Sequence, residues 1–450
     1  MKSRAPIKIG LVSLGCAKNL VDSEVMLGTL ARDGMILTDN AEEADVLIVN
    51  TCGFINKAKQ ESIDTILKLN QLRETGKCRA LIMAGCLTQR YPQELRRDLP
   101  EVDAIVGLNE VPRIAAIVRE ILEKRAPAVY WSGPAKYVPD FSAPRVRLTP
   151  KHTAYVKIAE GCDHPCAFCS IPRIRGKYRS RPVADVIAEI RALVADGCRE
   201  INLISQDTTF YGRDLNDGQG LLCELLRQAQ AIPGDFWLRL LYTHPAHWTD
   251  ELIATIAACD KICRYVDMPL QHINDAMLAA MKRETSGQFI RDLVGRIRAG
   301  VPGIVLRTAF IVGFPGETEA QFEELLEFIA AAKFERLGIF AYSQEDHTAA
   351  GNLAVQVPEK VKTSRRSKAM TLQQKVSRQV QRGFVGQTLR VLVEKQTKTG
   401  WQGRSHADAP EIDGMVTGME NVRSGEFAEI QITGSTSYDL KGRIHHGAKI

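Results

Sequence analysis

The chain has 450 residues, of which 45% are hydrophobic and 25% are charged, and its formal net charge is +6. A chain of this length predicts two or three domains, and its average apolar and charged shares argue against wholesale disorder, a fibrous protein and a membrane protein. The mild positive charge is compatible with direct nucleic-acid binding but does not require it.

The apolar run at 7–14 follows a basic start and precedes Gly15 and Cys16, so a lipoprotein signal is a competing interpretation. Lys8 and Gly10 interrupt the run, which barely reaches the roughly seven apolar residues of a signal peptide. No stretch approaches the roughly 18 apolar residues of a membrane span. We therefore expect a cytoplasmic protein, in which eleven cysteines predict metal ligation rather than disulfide bonds.

The first region, 1–125, alternates apolar runs with helical patterns. Continuous apolar strands between helices predict a doubly wound parallel sheet, and ligands bind beyond the carboxyl ends of such strands. The predicted strands are 7–14, 44–50, 80–84 and 102–106, and the predicted helices are 22–33, 57–72 and 111–123. Prolines then punctuate 126–150, which predicts a linker.

The second region, 151–378, repeats the alternation of strand and helix six times. Six units are fewer than the eight of a full barrel, so we predict an incomplete (β/α)6 barrel with its chemistry at the carboxyl ends of the strands. The predicted strands are 154–159, 200–205, 237–242, 264–268, 304–312 and 337–342. A charged helix at 358–382 leads to a third region, 380–450, whose short apolar runs at 388–394, 414–416 and 427–433 predict a small antiparallel β-barrel.

Three cysteines follow the first barrel strand on one short segment, at Cys162, Cys166 and Cys169. Three thiolates on one loop can each bind a different iron of a cubane cluster, which leaves the fourth iron without a protein ligand. The alternative is a structural zinc site, which His164 could complete. No second ligand pair follows at zinc-finger spacing, so the iron-sulfur cluster is favoured.

Three further cysteines each follow a predicted strand of the first region, at Cys16, Cys52 and Cys86. The doubly wound topology would bring them to one crevice although they are far apart in the sequence. We predict a second cluster with an open iron, with chance placement as the alternative. The remaining cysteines show no partner pattern and are expected to be inert thiols: Cys78, Cys198, Cys223, Cys259 and Cys263.

The Cys-x-x-x-Cys-x-aromatic-Cys pattern, with Phe168 as the aromatic residue, resembles the radical S-adenosylmethionine (SAM) superfamily. The resemblance implies that the open iron chelates SAM and that reductive cleavage of SAM yields a 5'-deoxyadenosyl radical. The string Ile-Val-Gly-Phe-Pro-Gly-Glu at 311–317 is similar to the superfamily's SAM-contacting turn, with a plain strand-to-helix turn as the alternative. The candidate SAM contacts are Phe168, Gly313, Pro315, Gly316 and Glu317.

The three-cysteine domain, the radical SAM core and the small β module together resemble the methylthiotransferase family, whose C-terminal module is a TRAM domain. The string Gly-Cys-Ala-Lys-Asn at 15–19 is similar to the ribosomal-protein branch, RimO, whereas MiaB-type transfer-RNA enzymes tend to read Gly-Cys-Gln-Met-Asn. Strings at 206–212, 242–245, 269–273 and 307–311 resemble the same branch. The loop 342–348 departs from the family pattern, and no role is predicted for it.

The resemblance implies two 4Fe-4S clusters, SAM, a reductant and a sulfur donor. It implies transfer of a methylthio group to the β-carbon of an aspartate in ribosomal protein twelve of the small subunit, free or in the ribosome. The alternative is 2-methylthio transfer to a transfer-RNA adenosine. From residue 379 onward there are nine basic and eight acidic residues, and this near-neutral balance favours a protein substrate over phosphate contacts.

Two other function classes stay open at this point, an iron-sulfur electron carrier and a zinc-bearing RNA-binding protein. No catalytic residue is predicted beyond the cluster ligands.

Overall fold

The computed structural model describes residues 6–124 and 126–445. The predicted domain boundary at residue 125, the first five residues and the last five, including the basic Lys449, lie outside this part of the chain. Within it, no helix is both long enough and apolar enough to cross a membrane.

The N-terminal domain is a parallel sheet of six strands in the order β2-β1-β3-β4-β5-β6, with helices on both faces. Its elements are β1 Lys8–Ser13, α1 Ala17–Arg32, β2 Ile36–Thr38, β3 Val46–Thr51, α2 Asn56–Asn70, α3 Leu72–Thr75, β4 Ala80–Gly85, α4 Cys86–Arg90, α5 Pro92–Asp98, β5 Ala104–Val106, α6 Ile114–Lys124 and β6 Ala128–Tyr130. The central strands β3 and β4 are buried on both faces, as their continuous apolar sequences predict.

Besides the unpredicted edge strand β2, two features of this domain differ from the sequence-based prediction. Helix α1 begins at Ala17, five residues earlier than predicted, so it starts directly after Cys16. The predicted linker 126–150 contributes β6 to the sheet and packs against α1, where a Cβ on Gly28 would lie 2.4 Å from the backbone of Arg145. A three-residue edge strand is too short to produce a periodic pattern, so proline content dominated the prediction.

The second region contains six principal parallel strands that form an incomplete barrel, as predicted. Its elements are β7 Thr153–Lys157, β8 Ala159–Glu160, α7 Ile171–Arg175, β9 Arg179–Ser180, α8 Val183–Ala195, β10 Glu200–Ile204, α9 Leu222–Gln230, β11 Trp237–Leu240, α10 Asp250–Ala258, β12 Tyr265–Asp267, α11 Asp275–Ala280, α12 Gly287–Gly300, β13 Val305–Val312, α13 Glu319–Ala332 and β14 Arg336–Ala341. Strands β7, β10 and β11 form one sheet, and β12, β13 and β14 form another. A parallel bridge between Leu238 and Ile262 joins the two into one arc.

A long helix leads to a closed C-terminal barrel of five strands in the order β15-β16-β17-β19-β18. These elements are α14 Glu359–Gly383, β15 Thr388–Thr397, β16 Gly400–Ser405, β17 Val416–Gly418, β18 Phe427–Ser435 and β19 Leu440–Ile444. The prediction of a wholly antiparallel barrel is corrected at one pair, because β17 and β19 run parallel. The five strands close around the buried side chain of Trp401.

The C-terminal barrel is attached to the amino ends of the strands of the incomplete barrel. Arg404 binds Glu200 at the start of β10 with a separation of 2.5 Å. The hydroxyl of Tyr265, which begins β12, donates to Asp413 at 2.6 Å. Because the third region occupies this end, the carboxyl ends of the barrel strands remain available to the N-terminal domain.

The N-terminal domain docks on the carboxyl-end side of the barrel through buried ion pairs. Asp22 of α1 lies 2.5 Å from Lys157 and 2.7 Å from Arg175. On another side, Glu345 accepts a hydrogen bond from the backbone N–H of Asn56 at 2.7 Å and pairs with Arg90 at 3.0 Å. The loop 342–348, for which the sequence predicted no role, therefore holds the two domains together.

Candidate active site

All six cysteines of the two predicted trios line one cavity of about 680 Å³ between the N-terminal domain and the carboxyl ends of the barrel strands. We call Cys16, Cys52 and Cys86 the N-terminal trio, and Cys162, Cys166 and Cys169 the barrel trio. The lining is mainly apolar, and it also includes the cationic side chains of Lys18, Arg175 and Arg283. A shared cavity is the arrangement that chemistry involving both trios requires.

The N-terminal trio stands at the carboxyl ends of β1, β3 and β4, where the parallel sheet turns into helices. Cys16 directly precedes α1 and Cys86 is the first residue of α4, whereas Cys52 directly follows β3. Free backbone N–H groups and the helix dipole favour negative charge at a helix start, and the metal ligand is the thiolate. The topology therefore collects three thiols at one edge of the sheet, two of them at helix starts.

Glycine makes the close approach of these strand ends possible at two positions. At Gly15, with φ +89°, a Cβ would lie 2.9 Å from the Cβ of Cys52. At Gly53, a Cβ would lie 2.7 Å from the Cα of Leu87, beside Cys86. Any side chain at Gly53 would push the ends of β3 and β4 apart, because the atom that it would meet belongs to the backbone of Leu87.

A pair of asparagines fixes the segment that carries the N-terminal trio. The side-chain amide of Asn19 donates to the carbonyl of Leu14 at 2.7 Å and to that of Thr51 at 3.2 Å. The amide of Asn50 donates back to the carbonyl of Asn19 at 2.7 Å. These buried hydrogen bonds tie the start of α1 to the end of β3 and so set the separation of Cys16 and Cys52.

Backbone hydrogen bonds hold the loop that carries the barrel trio. The N–H of Cys162 donates to the carbonyl of Gly176 at 3.1 Å, and the N–H of Cys169 donates to that of Cys166 at 3.1 Å. Between the cysteines, Ala167 donates to Met281 at 2.9 Å. The loop is thus ordered by its own backbone and by the segment after α11.

Each trio has one arginine in contact with one of its sulfur atoms. Arg175 donates from Nη2 to the sulfur of Cys86 at 3.1 Å, and Arg283 donates from Nη1 to the sulfur of Cys166 at 3.5 Å. Hydrogen bonds and positive charge at ligand sulfurs stabilise the more negative, reduced state of an iron-sulfur cluster. The two contacts give each candidate cluster its own electrostatic partner.

The thiols of the two trios differ in how readily they ionise. Burial raises the pKa of Cys86 to about 12 and that of Cys162 to about 12. Burial acts in the same direction on Cys16, but Lys18 and Arg175 outweigh it and lower the pKa of that thiol. A thiol must lose its proton to become a metal ligand. In these buried positions, the positive charge that stabilises the thiolates has to come from the bound iron.

The surroundings of His164 bear on the choice between a cubane and a single zinc ion. Within the described residues, the group of side chains close enough to share a metal ion is His164, Asp207, His244 and His247, with ligand atoms within 4.8 Å of one another, and it contains no cysteine. A tetrahedral zinc site with Zn–S bonds of about 2.3 Å places its sulfurs about 3.8 Å apart, whereas a cubane spreads its thiolates over different irons. His164, the proposed fourth zinc ligand, instead binds Asp207 at 2.8 Å. Because His164 is engaged in this way, the structure favours the iron-sulfur cluster over a zinc site on the barrel trio.

Sequence reasoning missed Asp207, which organises a group of histidines beside the barrel trio. Its carboxylate binds His164 and His247, each at 2.8 Å, and the ring of His244 stacks on His164 with centroids 3.9 Å apart. Burial alone would raise the pKa of Asp207, yet these hydrogen bonds hold it well below its usual range. The group anchors His164, which lies between Cys162 and Cys166. The strings at 206–212 and 242–245 had marked this region without indicating a role.

The predicted SAM contacts lie partly outside the cavity lining, although Phe168 packs against a cluster that includes Phe314 of the 311–317 turn. Phe168 lines the cavity, but Gly313, Pro315, Gly316 and Glu317 are not among the lining residues. The carboxylate of Glu317 accepts from the N–H of Gly313 at 2.5 Å and binds Arg365 at 2.6 Å. A Cβ on Gly313 would lie 2.4 Å from Cγ of Lys362, so packing against α14 accounts for this glycine. The role of these residues toward SAM stays a prediction.

Two lining residues have left-handed backbones although they are not glycine. Tyr242 has φ +62° and follows β11, and Gln271 has φ +72° and follows β12. Such conformations are strained for these residue types and persist mainly at functional sites, where surrounding contacts impose them. The strain adds to the reasons for placing function in this cavity.

Models of three known families match successive parts of the chain. The uncharacterized protein family UPF0004 matches residues 8–107, the radical SAM superfamily matches residues 156–329, and the TRAM domain matches residues 385–444.

Whole-chain relatives carry one shared name. The ribosomal protein uS12 methylthiotransferase RimO of Opitutus terrae is 54% identical, with 96% of each chain covered. The protein of the same name from Pelotomaculum thermopropionicum is 51% identical, with 97% of this chain and 99% of the relative covered. The chain belongs to the RimO methylthiotransferase family. It is thus a transferase of the radical SAM superfamily, whose cofactors are SAM and 4Fe-4S clusters, and the predicted branch is confirmed.

Among solved structures, the radical SAM methyltransferase TsrM from Kitasatospora setae has a TM-score of 0.56 and 15% identity, covering 77% of this chain and 74% of that chain. At this identity the likeness concerns the fold alone. It agrees with the barrel that forms one wall of the cavity.

Proposed function

We propose that this member of the RimO family transfers a methylthio group to the β-carbon of an aspartate in ribosomal protein uS12. The observation that carries the proposal is the single cavity lined by both cysteine trios, in a chain that is 54% identical to a uS12 methylthiotransferase over nearly its full length. Two separate cluster sites facing one space suit a reaction that activates a carbon and delivers sulfur to it.

In this proposal, the N-terminal trio holds the cluster that presents sulfur, and the barrel trio holds the cluster that binds SAM. When bound, these groups supply the one-electron chemistry that an unactivated carbon-hydrogen bond requires, because a base cannot readily remove its hydrogen as a proton. The side chains of the protein position the reacting groups and keep water away from them. Arg175 and Arg283 contact the ligand sulfurs, and the mostly apolar walls exclude water from the reacting atoms.

The rim of the cavity suits a protein loop as substrate. Two large apolar side chains that line the cavity are also accessible to solvent, Phe54 with 37% and Phe340 with 53% of its surface exposed. One comes from the N-terminal domain and the other from β14, so they flank the entrance from both sides. Exposed aromatic side chains of this kind mark interaction surfaces and require no phosphate partner.

Two basic residues of the C-terminal barrel are engaged in ion pairs and are not free to contact phosphates. Arg404, the innermost of its basic residues, is spent on Glu200 and Glu394, and Arg390 pairs with Asp235. This supports a protein substrate, although a TRAM domain is compatible with contact to ribosomal RNA when uS12 is presented in a particle.

We further propose a cytoplasmic location, a sulfur donor and a reductant as partners, and separate cluster-binding units at 1–125 and 151–378, with 380–450 as the TRAM-like module.

The proposal is tested with the anaerobically reconstituted protein, SAM, a chemical reductant, sulfide and purified uS12. Mass spectrometry should show a gain of about 46 mass units on one aspartate-containing peptide, which is the difference for replacing H by SCH3. Reconstitution should give about eight irons per chain, for two cubanes. Unmodified uS12 together with methylthiolated transfer RNA would overturn the proposal in favour of the MiaB-type reaction, and about four irons would overturn the two-cluster assignment.

A further inference from the structure

A substrate aspartate would bring a negative charge into a mostly apolar cavity. Its ordinary pKa lies far below neutral pH, so the side chain enters as a carboxylate. A carboxylate removed from water without a partner is strongly disfavoured, and buried charges are therefore paired. If the function proposed above is correct, the cavity must provide a cation for the acceptor.

Most cationic side chains of the cavity already have partners. Arg175 binds Asp22 at 2.7 Å and Glu160 at 2.9 Å in addition to its contact with Cys86. Arg283 donates to the carbonyl of Pro269 at 3.0 Å and contacts the barrel trio. Both arginines therefore belong to the walls and to the cluster sites rather than to an incoming ligand.

Lys18 is different. Within the described part of the chain, its ammonium group makes no hydrogen bond and no ion pair, although only 8% of the residue is exposed and it lines the cavity. Its contact is with the aromatic face of Tyr242, whose ring centroid lies 2.8 Å away. An ammonium over a ring keeps its N–H groups available, because the attraction is electrostatic and uses no lone pair.

Two hydrogen bonds hold the strained backbone of Tyr242 in place. Its N–H donates to a carboxylate oxygen of Asp267 at 3.0 Å, and its carbonyl accepts from Thr208 at 2.8 Å. These bonds impose φ +62° and so fix the direction of the side chain, which belongs to the barrel, while Lys18 belongs to the N-terminal domain. Among the described residues, the two domains thus hold a cation without an ion-pair partner in the shared cavity.

We propose that Lys18 binds the side-chain carboxylate of the acceptor aspartate and thereby selects an aspartate over its neutral amide analogue. The β-carbon is bonded directly to the carboxylate carbon, at about 1.5 Å, so a fixed carboxylate also fixes the carbon that reacts. Tyr242 acts as a positioning residue for the ammonium. This inference rests on the proposed function and names the group that recognises its substrate.

The test measures binding and turnover separately, on the reconstituted holoenzyme with full-length uS12. The acceptor aspartate is first located by mass spectrometry, and uS12 with that residue changed to asparagine serves as the second ligand. The wild type should bind the aspartate form at least tenfold more tightly, because the amide leaves the ammonium unpaired. Lys18→Met should bind both forms equally, and Lys18→Arg should restore a preference. Lys57→Met, an exposed lysine at the start of α2, is the matched control and should retain the full preference.

The outcomes separate the two proposals. Equal binding of both forms by the wild type, or an unchanged preference in Lys18→Met, overturns the role of Lys18 whatever the turnover. A Lys18→Met variant that loses methylation of the enzyme-bound sulfur by SAM in the absence of uS12 assigns the lysine to a cofactor, which also overturns it. A wild type that prefers the aspartate form but transfers no methylthio group refutes the proposed function and leaves the recognition role standing. Iron content equal to wild type shows that each variant is folded.

Discussion

The two cysteine trios reach the same cavity by opposite routes. The barrel trio lies on one loop of eight residues, and its spacing alone predicts a cluster. The N-terminal trio is assembled from three strand ends, and at least one helix and one strand lie between each cysteine and the next. The first site is therefore a property of a short segment, whereas the second exists only once the parallel sheet has formed. We expect substitutions around the two trios to differ in how far along the chain they can lie and still affect the cluster.

The comparison is tested most strongly by removing one ligand from each trio. Cys166→Ser should abolish both SAM cleavage and methylthio transfer, because both depend on the SAM-binding cluster. Cys16→Ala should abolish transfer while SAM cleavage to 5'-deoxyadenosine continues. Chromatography of 5'-deoxyadenosine and mass spectrometry of uS12 measure the two activities, and each variant should retain about four irons. Cys223→Ala, in α9 and away from the cavity, is the control. Transfer by Cys16→Ala would refute the role of the N-terminal trio.

A smaller effect is expected from a change in the assembly of the N-terminal trio. Gly53→Ala would place a Cβ 2.7 Å from the Cα of Leu87, so the strand ends that carry Cys52 and Cys86 must separate. We expect transfer to fall at least tenfold and iron to drop toward one cluster, with SAM cleavage retained. Gly295→Ala, in α12, meets no atom within 4 Å and should change neither quantity. Full iron content in Gly53→Ala would show that the trio tolerates a wider spacing.

The docking of the two domains can be weakened without touching a cysteine. In Glu345→Gln the buried Arg90 and the partly buried Lys59 lose their carboxylate partner. The free energy of unfolding should fall by roughly 3 kcal/mol, since an unpaired buried charge is strongly destabilising. Urea denaturation followed by circular dichroism measures this change, and transfer should fall more than SAM cleavage. Glu43→Gln breaks a solvent-exposed pair with Lys8 and should leave both unchanged. Equal loss of both activities would contradict a role confined to docking.

The smallest expected effect on the clusters is a shift in their reduction potentials, which depends on the two arginines at the ligand sulfurs. Arg175→Gln should lower the reduction potential of the N-terminal cluster, and Arg283→Gln that of the barrel cluster, because each removes a charged donor from a sulfur atom. The shift should be smaller for Arg283, whose contact is 3.5 Å rather than 3.1 Å. Redox titration followed by electron paramagnetic resonance distinguishes the two signals. A shift in the opposite cluster would show that these contacts do not govern the potentials.

Much of the architecture was accessible from local patterns. The six principal strands of the incomplete barrel were predicted within about two residues of their ends, because buried parallel strands are continuous apolar runs bounded by polar turns. The edge strands β2 and β6 were missed, since three residues carry too little pattern. The parallel pairing of β17 and β19 was missed as well, because strand direction depends on the path of the chain between strands.

The candidate site, like the fold, was predicted from the sequence only in part. The six cysteines were predicted from their positions relative to strands, but the residues that surround them were not. Asp207, Lys18 and Glu345 have polar side chains that are ordinary in sequence, and their significance comes from partners far along the chain. Burial and pairing are properties of the folded molecule, so the family-like strings that contain Lys18 and Asp207 gave no indication of these roles.

By itself, the amino-acid sequence determined which segments become strands and helices and which cysteines follow strand ends, since hydrophobic periodicity and turn chemistry act over a few residues. The tertiary structure alone decided that both trios face one cavity, that the loop 342–348 joins the domains, and that the ammonium group of Lys18 lies over the ring of Tyr242. These features arise from contacts between distant residues, whose geometry is set only when the sheets, helices and domains pack together.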